Sequence, residues 1–215
     1  MFSFNKLSAL VASALFAAAP VHASDKISDG VVRIGVLTDL SGIYADNVGP
    51  GSVTATRYAV EDFGGTVLGK PIEVLSSDHL NKTDVGASRA REWFDRDGVD
   101  VVTELGNSAV ALAVMNVAEE KGRMSMVTGA GATRISGADC KPTNVHWVYD
   151  TYALAKVGTL SLVQAGVKSW YFISADYAFG HSLEETACDS LKRAVAKLWA
   201  PVVIPSRVPI FPPSC

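Results

Sequence analysis

Val31-Val32-Arg33-Ile34-Gly35-Val36-Leu37, followed by Thr38-Asp39-Leu40-Ser41-Gly42, is the stretch that decides the fold of this 215-residue chain. The first seven residues form a nearly continuous apolar run with β-branched residues at four positions. Such a run is expected where both faces of a parallel sheet are covered. The Gly-rich segment after it, through Gly42, Gly49 and Gly51, predicts a loop. A helix is expected from about Ser52 to Phe63, with Ser52 as its N-cap and Gly64-Gly65 as its stop.

Outward from this unit the same alternation repeats. Strands are predicted at Pro71–Ser77, Val99–Thr103 and Met124–Val127. Helices are predicted at Thr83–Arg96 and from Asn107 or Ser108 to Glu120, the latter with Val110, Val114 and Val117 as core candidates and Lys121-Gly122 as its close. After a loop rich in Gly, Ala and Thr (Thr128–Gly137) come a strand at Val145–Val148, a helix at Thr151–Gln164, a strand at Ser169–Ser174 and a helix at Ser182–Lys197. The order β-α-β-α-β-α-β, then β-α-β-α, predicts an α/β chain. It comprises a doubly wound parallel sheet, a Rossmann-like first lobe, and the incomplete start of a second, similar lobe.

Composition agrees with a globular α/β protein: 48% of residues are hydrophobic and 19% charged. Lys and Arg number 19 against 22 Asp and Glu, a net charge of −3. The basic residues are scattered, so nucleic acid is not an expected partner. Met1–Lys6 is a short leader with one positive charge, Leu7–Ala19 is apolar, and Val21-His22-Ala23 has a small-x-small pattern. Residues 1–23 are therefore expected to be a secretory signal peptide, the apolar run falling short of the roughly 20 residues a membrane span needs. Cys140 and Cys188 are available to pair if their Cα atoms come close enough. His79, His146 and His181 lie on separate segments, so no metal site and no cofactor are expected.

Enzyme signatures are missing in specific ways. No G-x-x-x-x-G-K-[ST] loop is present, and Thr38–Gly42 is not G-x-G-x-x-G. Gly106-Asn107-Ser108-Ala109-Val110 lacks the second glycine of a nucleophile elbow. What remains is a set of strand-end loops, which in an open parallel sheet converge on one crevice. Leu40–Gly51 carries Ser41, Tyr44 and Asp46. Gly106-Asn107-Ser108 offers amides and a hydroxyl at a helix N-terminus, where a carboxylate is favoured. Thr128–Thr133 has small residues that permit close backbone approach. Together these loops suit a small zwitterion.

Four runs carry a family resemblance: Ile34–Gly42, Ala59-Val60-Glu61-Asp62-Phe63-Gly64-Gly65, Val148-Tyr149-Asp150-Thr151-Tyr152-Ala153-Leu154-Ala155 and Asp176-Tyr177-Ala178-Phe179-Gly180. In this order the chain, from about Val31 to Lys197, resembles the periplasmic substrate-binding proteins of branched-chain amino acid ABC transporters, the leucine-binding type. The resemblance implies two lobes that close on a small ligand and deliver it to a permease in the inner membrane, without catalysis. It implies that Ser108, Ala132 and Thr133 hold the ligand's α-carboxylate and ammonium, with Asn107 and Tyr44 lining the same cleft. Tyr177 and Phe179 would form an aromatic lid, suited to an apolar side chain or a cation. Trp147 and Tyr152 are expected in the hinge and core. A sensory protein of the same fold and an exported hydrolase are the alternative readings.

The pattern fails after Lys197. Residues 198–215 hold five of the nine prolines (Pro201, Pro205, Pro209, Pro212 and Pro213) and no acidic residue. Such a segment makes neither a helix nor a central strand. Members of the resembled family usually continue with a segment like H-P-x-x-x-S-D-F-S-S-F-L. With permitted codons for Val203–Cys215, reading from the third base yields His-Pro-Phe-Pro-Arg-Ser-Asp-Phe-Ser-Ser-Phe-Leu. A frameshift near Val195–Ala200 is therefore expected, giving a first lobe over 24–148, a partial second lobe over 149–197 and an out-of-frame tail over 198–215.

Overall fold

The computed structural model describes residues 29–198. The expected signal peptide and nearly all of the Pro-rich tail lie outside the described residues.

Five parallel strands make the body of one sheet. They are β1 (Val32–Thr38), β3 (Lys70–Asp78), β4 (Val101–Glu104), β5 (Met124–Val127) and β6 (Asn144–His146), with β2 (Thr66–Val67) as a short antiparallel edge. The order β2-β3-β1-β4-β5-β6 reverses direction at β1, the position where a doubly wound sheet opens a crevice beyond its strand ends. The helices are α1 (Ala45–Val48), α2 (Pro50–Asp62), α3 (Thr83–Asp95), α4 (Ser108–Glu120), α5 (Thr151–Gln164) and α6 (Ala178–Leu198).

The core lies between the sheet and the α3–α4 pair. Leu37, Val102 and Val127 meet Ala90, Trp93 and Phe94 of α3 and Val110, Val114, Met115, Val117 and Ala118 of α4. Right-handed crossovers place α2, which leads the other way along the sheet, on the opposite face. Ile34, Val74 and Val101 share a register row there and are only half-buried. Val53 is the one buried residue of α2.

Two expectations are corrected here. The N-cap of α2 is Gly49 and Pro50 stands at its first position, because a fixed φ and a missing N–H suit the first turn. Ser52 therefore lies inside the helix. Ser169–Ser174 is not a strand: it pairs with nothing among the described residues, and Tyr171 and Ile173 are 57% and 91% exposed. A strand draws its hydrogen bonds from a neighbour, and none lies beside this segment among the described residues. Cys140 is free and exposed, so a Cys140–Cys188 bridge is not made.

Candidate functional site

The crevice forms where β1 and β4 end side by side. Three of its walls come from loops held by hydrogen bonds as well as by residues packed on the core. Asn107 caps α4, its Oδ1 accepting from the N–H groups of Ala109 at 2.9 Å and Val110 at 3.3 Å. The side chain expected to line the cleft is thus committed to the helix start. Ser108 follows, 1% exposed, and its Oγ accepts a hydrogen bond from the Ala132 amide at 3.2 Å. This bond joins the loop after β4 to the loop after β5.

The loop after β5 is held from below and from the side. His146 bonds the Ala130 carbonyl at 2.8 Å through Nε2, and the Thr151 amide donates to the Gly131 carbonyl at 2.7 Å. Thr133 opens a 3-10 turn. Its amide donates to Thr151 Oγ1 at 3.0 Å, and its hydroxyl lies 2.7 Å from the same oxygen. Thr151 Oγ1 is in turn 2.7 Å from Ser182 Oγ. One hydroxyl chain therefore runs from the β5 loop through the first residue of α5 to α6.

Aromatic rings close the other side. Tyr44 and Tyr177 have ring centroids 6.1 Å apart, and Tyr177 and Phe179 stack at 6.2 Å with 23° between planes. Burial, and then the neighbouring Tyr44 side chain, pushes the Tyr177 hydroxyl well above its ordinary range. Gly131 sits against this group: a Cβ there would stand 3.2 Å from both the Phe179 and Tyr149 rings. A side chain would push the rings off the loop, so glycine sets how closely they approach. Tyr44, Tyr177 and Phe179 are thus brought together across more than 130 residues of chain, next to the Ser108–Ala132 bond. Trp147 and Tyr152, expected in the hinge and core, are 78% and 45% exposed. Lys156 caps the Tyr152 ring at 5.0 Å and bonds its hydroxyl at 2.9 Å.

Several site residues escaped the sequence reading. Tyr149 lies in a quoted run but has no spacing that marks it as a cleft residue. Glu104 ends β4 inside the crevice, 8% exposed, accepting from Thr128 Oγ1 at 2.7 Å. Burial pushes its carboxyl above the ordinary range. A carboxylate closing the apolar run of a central strand was the available signal. Asp39 and His79, both 0% exposed, follow β1 and β3; burial lowers the His79 pKa.

A sheet that reverses at its central strand, with hydroxyls, amides and aromatic rings gathered beyond the strand ends, defines an α/β ligand-binding protein. The periplasmic binding protein family model matches residues 31–210, and the chain belongs to that family, whose members bind solutes and are not enzymes. A periplasmic binding protein from Burkholderia mallei is 48% identical with a TM-score of 0.75, over 77% of this chain and 44% of that one. A branched-chain amino acid ABC transporter periplasmic ligand-binding protein from Burkholderia xenovorans LB400 is 39% identical (TM-score 0.67, 75% and 43% covered). A solute-binding protein of an ABC transporter from Rhodopseudomonas palustris BisB5, solved with 3,4-dihydroxybenzoic acid, is 22% identical with a TM-score of 0.71, over 77% of this chain and 45% of that chain, and shares the fold. Among curated proteins, none matches the chain. The chain thus spans under half the length of these solved relatives.

Proposed function

We propose that this chain is part of a periplasmic receptor that captures a small amino-acid-like or aromatic acid between two lobes and delivers it to an ABC permease. The observation that carries the reading is the packing of Phe179 and Tyr149 on Gly131, continued from Phe179 through Tyr177 to Tyr44, beside the Ser108–Ala132 bond. Hydroxyl and amide donors at the α4 start suit a carboxylate, and the rings suit the apolar part of the same molecule. Ser108, Ala132 and Thr133 take the polar end, Tyr44, Tyr177 and Phe179 the other, and Asn107 supports them through the helix cap. Export through cleavage after Ala23 places the receptor in the periplasm.

Residues 24–148 form the first lobe, 149–197 a partial second lobe, and 198–215 an out-of-frame tail. An out-of-frame tail in place of family sequence would impair the receptor, and the 215-residue product is expected to bind weakly or not at all. Sequencing the gene tests the tail: a reading frame whose shifted translation shows no family resemblance would remove the frameshift. Calorimetry tests the impairment, since micromolar affinity of the 215-residue product for any amino or aromatic acid would contradict it. A thermal-shift screen of the frame-corrected protein against amino acids, amides and benzoates tests the receptor itself. We expect a rise in Tm with one of these classes, and no rise with any would overturn the reading.

A further inference from the structure

The Ser41–Tyr44 stretch is not held by aliphatic packing, because Ile43, its one aliphatic residue, is 85% exposed. What lies beneath it is the carboxylate of Asp39, fully buried and without an ion pair among the described residues. Asp39 Oδ1 accepts from the Gly42 amide at 2.8 Å and Oδ2 from the Tyr44 amide at 2.9 Å. Oδ2 also accepts from Asn81 Nδ2. A buried carboxylate is tolerated only while hydrogen-bond donors surround it, so the loop must bring those two amides inward.

The neighbouring groups leave little alternative. A Cβ on Gly42 would stand 2.6 and 2.7 Å from the carboxylate oxygens and 3.0 Å from Asn81 Nδ2. The far end of the loop is tied by Thr38 Oγ1, which donates to the Val48 carbonyl. Asn81 is fixed in turn, its amide donating to His79 Nδ1 at 3.0 Å, while the His79 amide donates to the Thr38 carbonyl at 2.9 Å. The Nε2 of His79 and Oδ1 of Asn81 are buried with no partner among the described residues. The Asn81 side chain is oriented by its bond to Asp39, and the His79 ring by the Asn81 backbone amide.

We propose that Asp39, held by Asn81, is a positioning residue of the ligand site, fixing the Ser41–Tyr44 loop so that Tyr44 meets Tyr177. The proposal rests on the reading of the aromatic cluster as part of the ligand site. Its test needs no ligand. The 215-residue protein is prepared with 3-fluorotyrosine at its six tyrosines, and fluorine resonances are assigned by single Tyr→Phe variants. In the wild type, Tyr177→Phe shifts the Tyr44 resonance because the rings touch. In Asp39→Asn a donor replaces an acceptor, and we expect that coupling to be lost while the resonance of Tyr58, exposed on α2, stays in place. Asn81→Asp added to Asp39→Asn exchanges donor and acceptor across the 39–81 bond but leaves the Tyr44 amide facing a donor, so the coupling is expected to stay lost, whereas a residue acting only on overall stability would recover with that bond. Retained coupling in Asp39→Asn, or full recovery in the double variant, overturns the proposal. If Asp39→Asn does not fold, Asn81→Ala removes only the side-chain support and is read by the same criterion. Failure of the frame-corrected protein to bind any solute would overturn the receptor reading and leave this result standing.

Discussion

Residues 29–148 and 149–198 are built from the same kinds of segment and reach different ends. The first region closes a sheet between helices, and its core residues Leu37, Val102, Val114 and Met115 are fully buried. The second keeps two well-formed helices packed on each other through a narrow seam. Thr151, Ala155 and Thr159 on α5 and Ala187, Leu191 and Ala194 on α6 are buried. Leu154, Val157 and Leu162 of α5 are 43%, 67% and 47% exposed, and Ile173 between the helices is 91% exposed. A helix satisfies its own backbone and persists with one neighbour, whereas a strand has no backbone partner until another strand arrives. The difference between the regions is therefore one of sheet pairing, not of helix quality.

The largest expected effect separates the two regions by core truncation. Leu37→Ala, at a fully buried position, should cost about 2–5 kcal/mol in urea unfolding of the 215-residue protein. Leu154→Ala, on the exposed face of α5, should change stability by no more than about 0.5 kcal/mol. Equal costs would mean that the α5 face is covered in solution. The same exposed face predicts self-association, and Val157→Glu should lower light scattering of the purified protein. Unchanged scattering would remove that face as the cause.

This asymmetry also marks what was legible in the residues. The helices were, because apolar spacing and end signals are local. Thr151–Gln164 reads from Asp150 and its cap, and the α4 start reads from Asn107. Strands buried on both faces were legible as apolar runs. Ser169–Ser174 reads just as well and yet is no strand, since pairing is a property of the neighbour. The start of α2 lies before the expected cap at Ser52 because the fixed φ and missing N–H of Pro50 suit the first helical position. At the site, Ser108 and the Thr128–Thr133 loop were legible from their place beyond strand ends. The contact of Tyr44 with Tyr177, the hydroxyl chain through Thr151 and Ser182, and the buried Asp39 were not, because each depends on distant segments meeting.

Helix caps give a smaller and sharper comparison. Asn107 caps α4 in the first region, and Asp150 caps α5 in the second, accepting from the Ala153 amide at 2.8 Å. Replacing either by Ala should cost about 1 kcal/mol. The location of the cost should differ. Asn107→Ala should lower the stability of the whole first region, because α4 is part of its core. Asp150→Ala should appear as faster hydrogen exchange confined to α5. Exchange that rises throughout the chain in Asp150→Ala would show that the two regions unfold as one unit.

The smallest effect concerns Glu104, whose carboxyl is pushed above its ordinary value of 4.5 by burial, against the bond from Thr128 that favours the charged form. An acid whose pKa is raised on folding binds its proton more tightly in the folded state. Its stabilising contribution is therefore full below the ordinary value and is lost as pH rises through the raised one. Above that range the folded protein holds a buried charge at a cost, and Glu104→Gln should raise Tm. Below it, where Glu104 is protonated in both states, the two proteins should melt together, because a glutamine still accepts the Thr128 hydroxyl bond. A Glu104→Gln protein that melts lower at neutral pH than at acid pH, relative to wild type, would reverse the sign. It would then be the ionised carboxylate, paired with Thr128, that holds the crevice of the first region in shape.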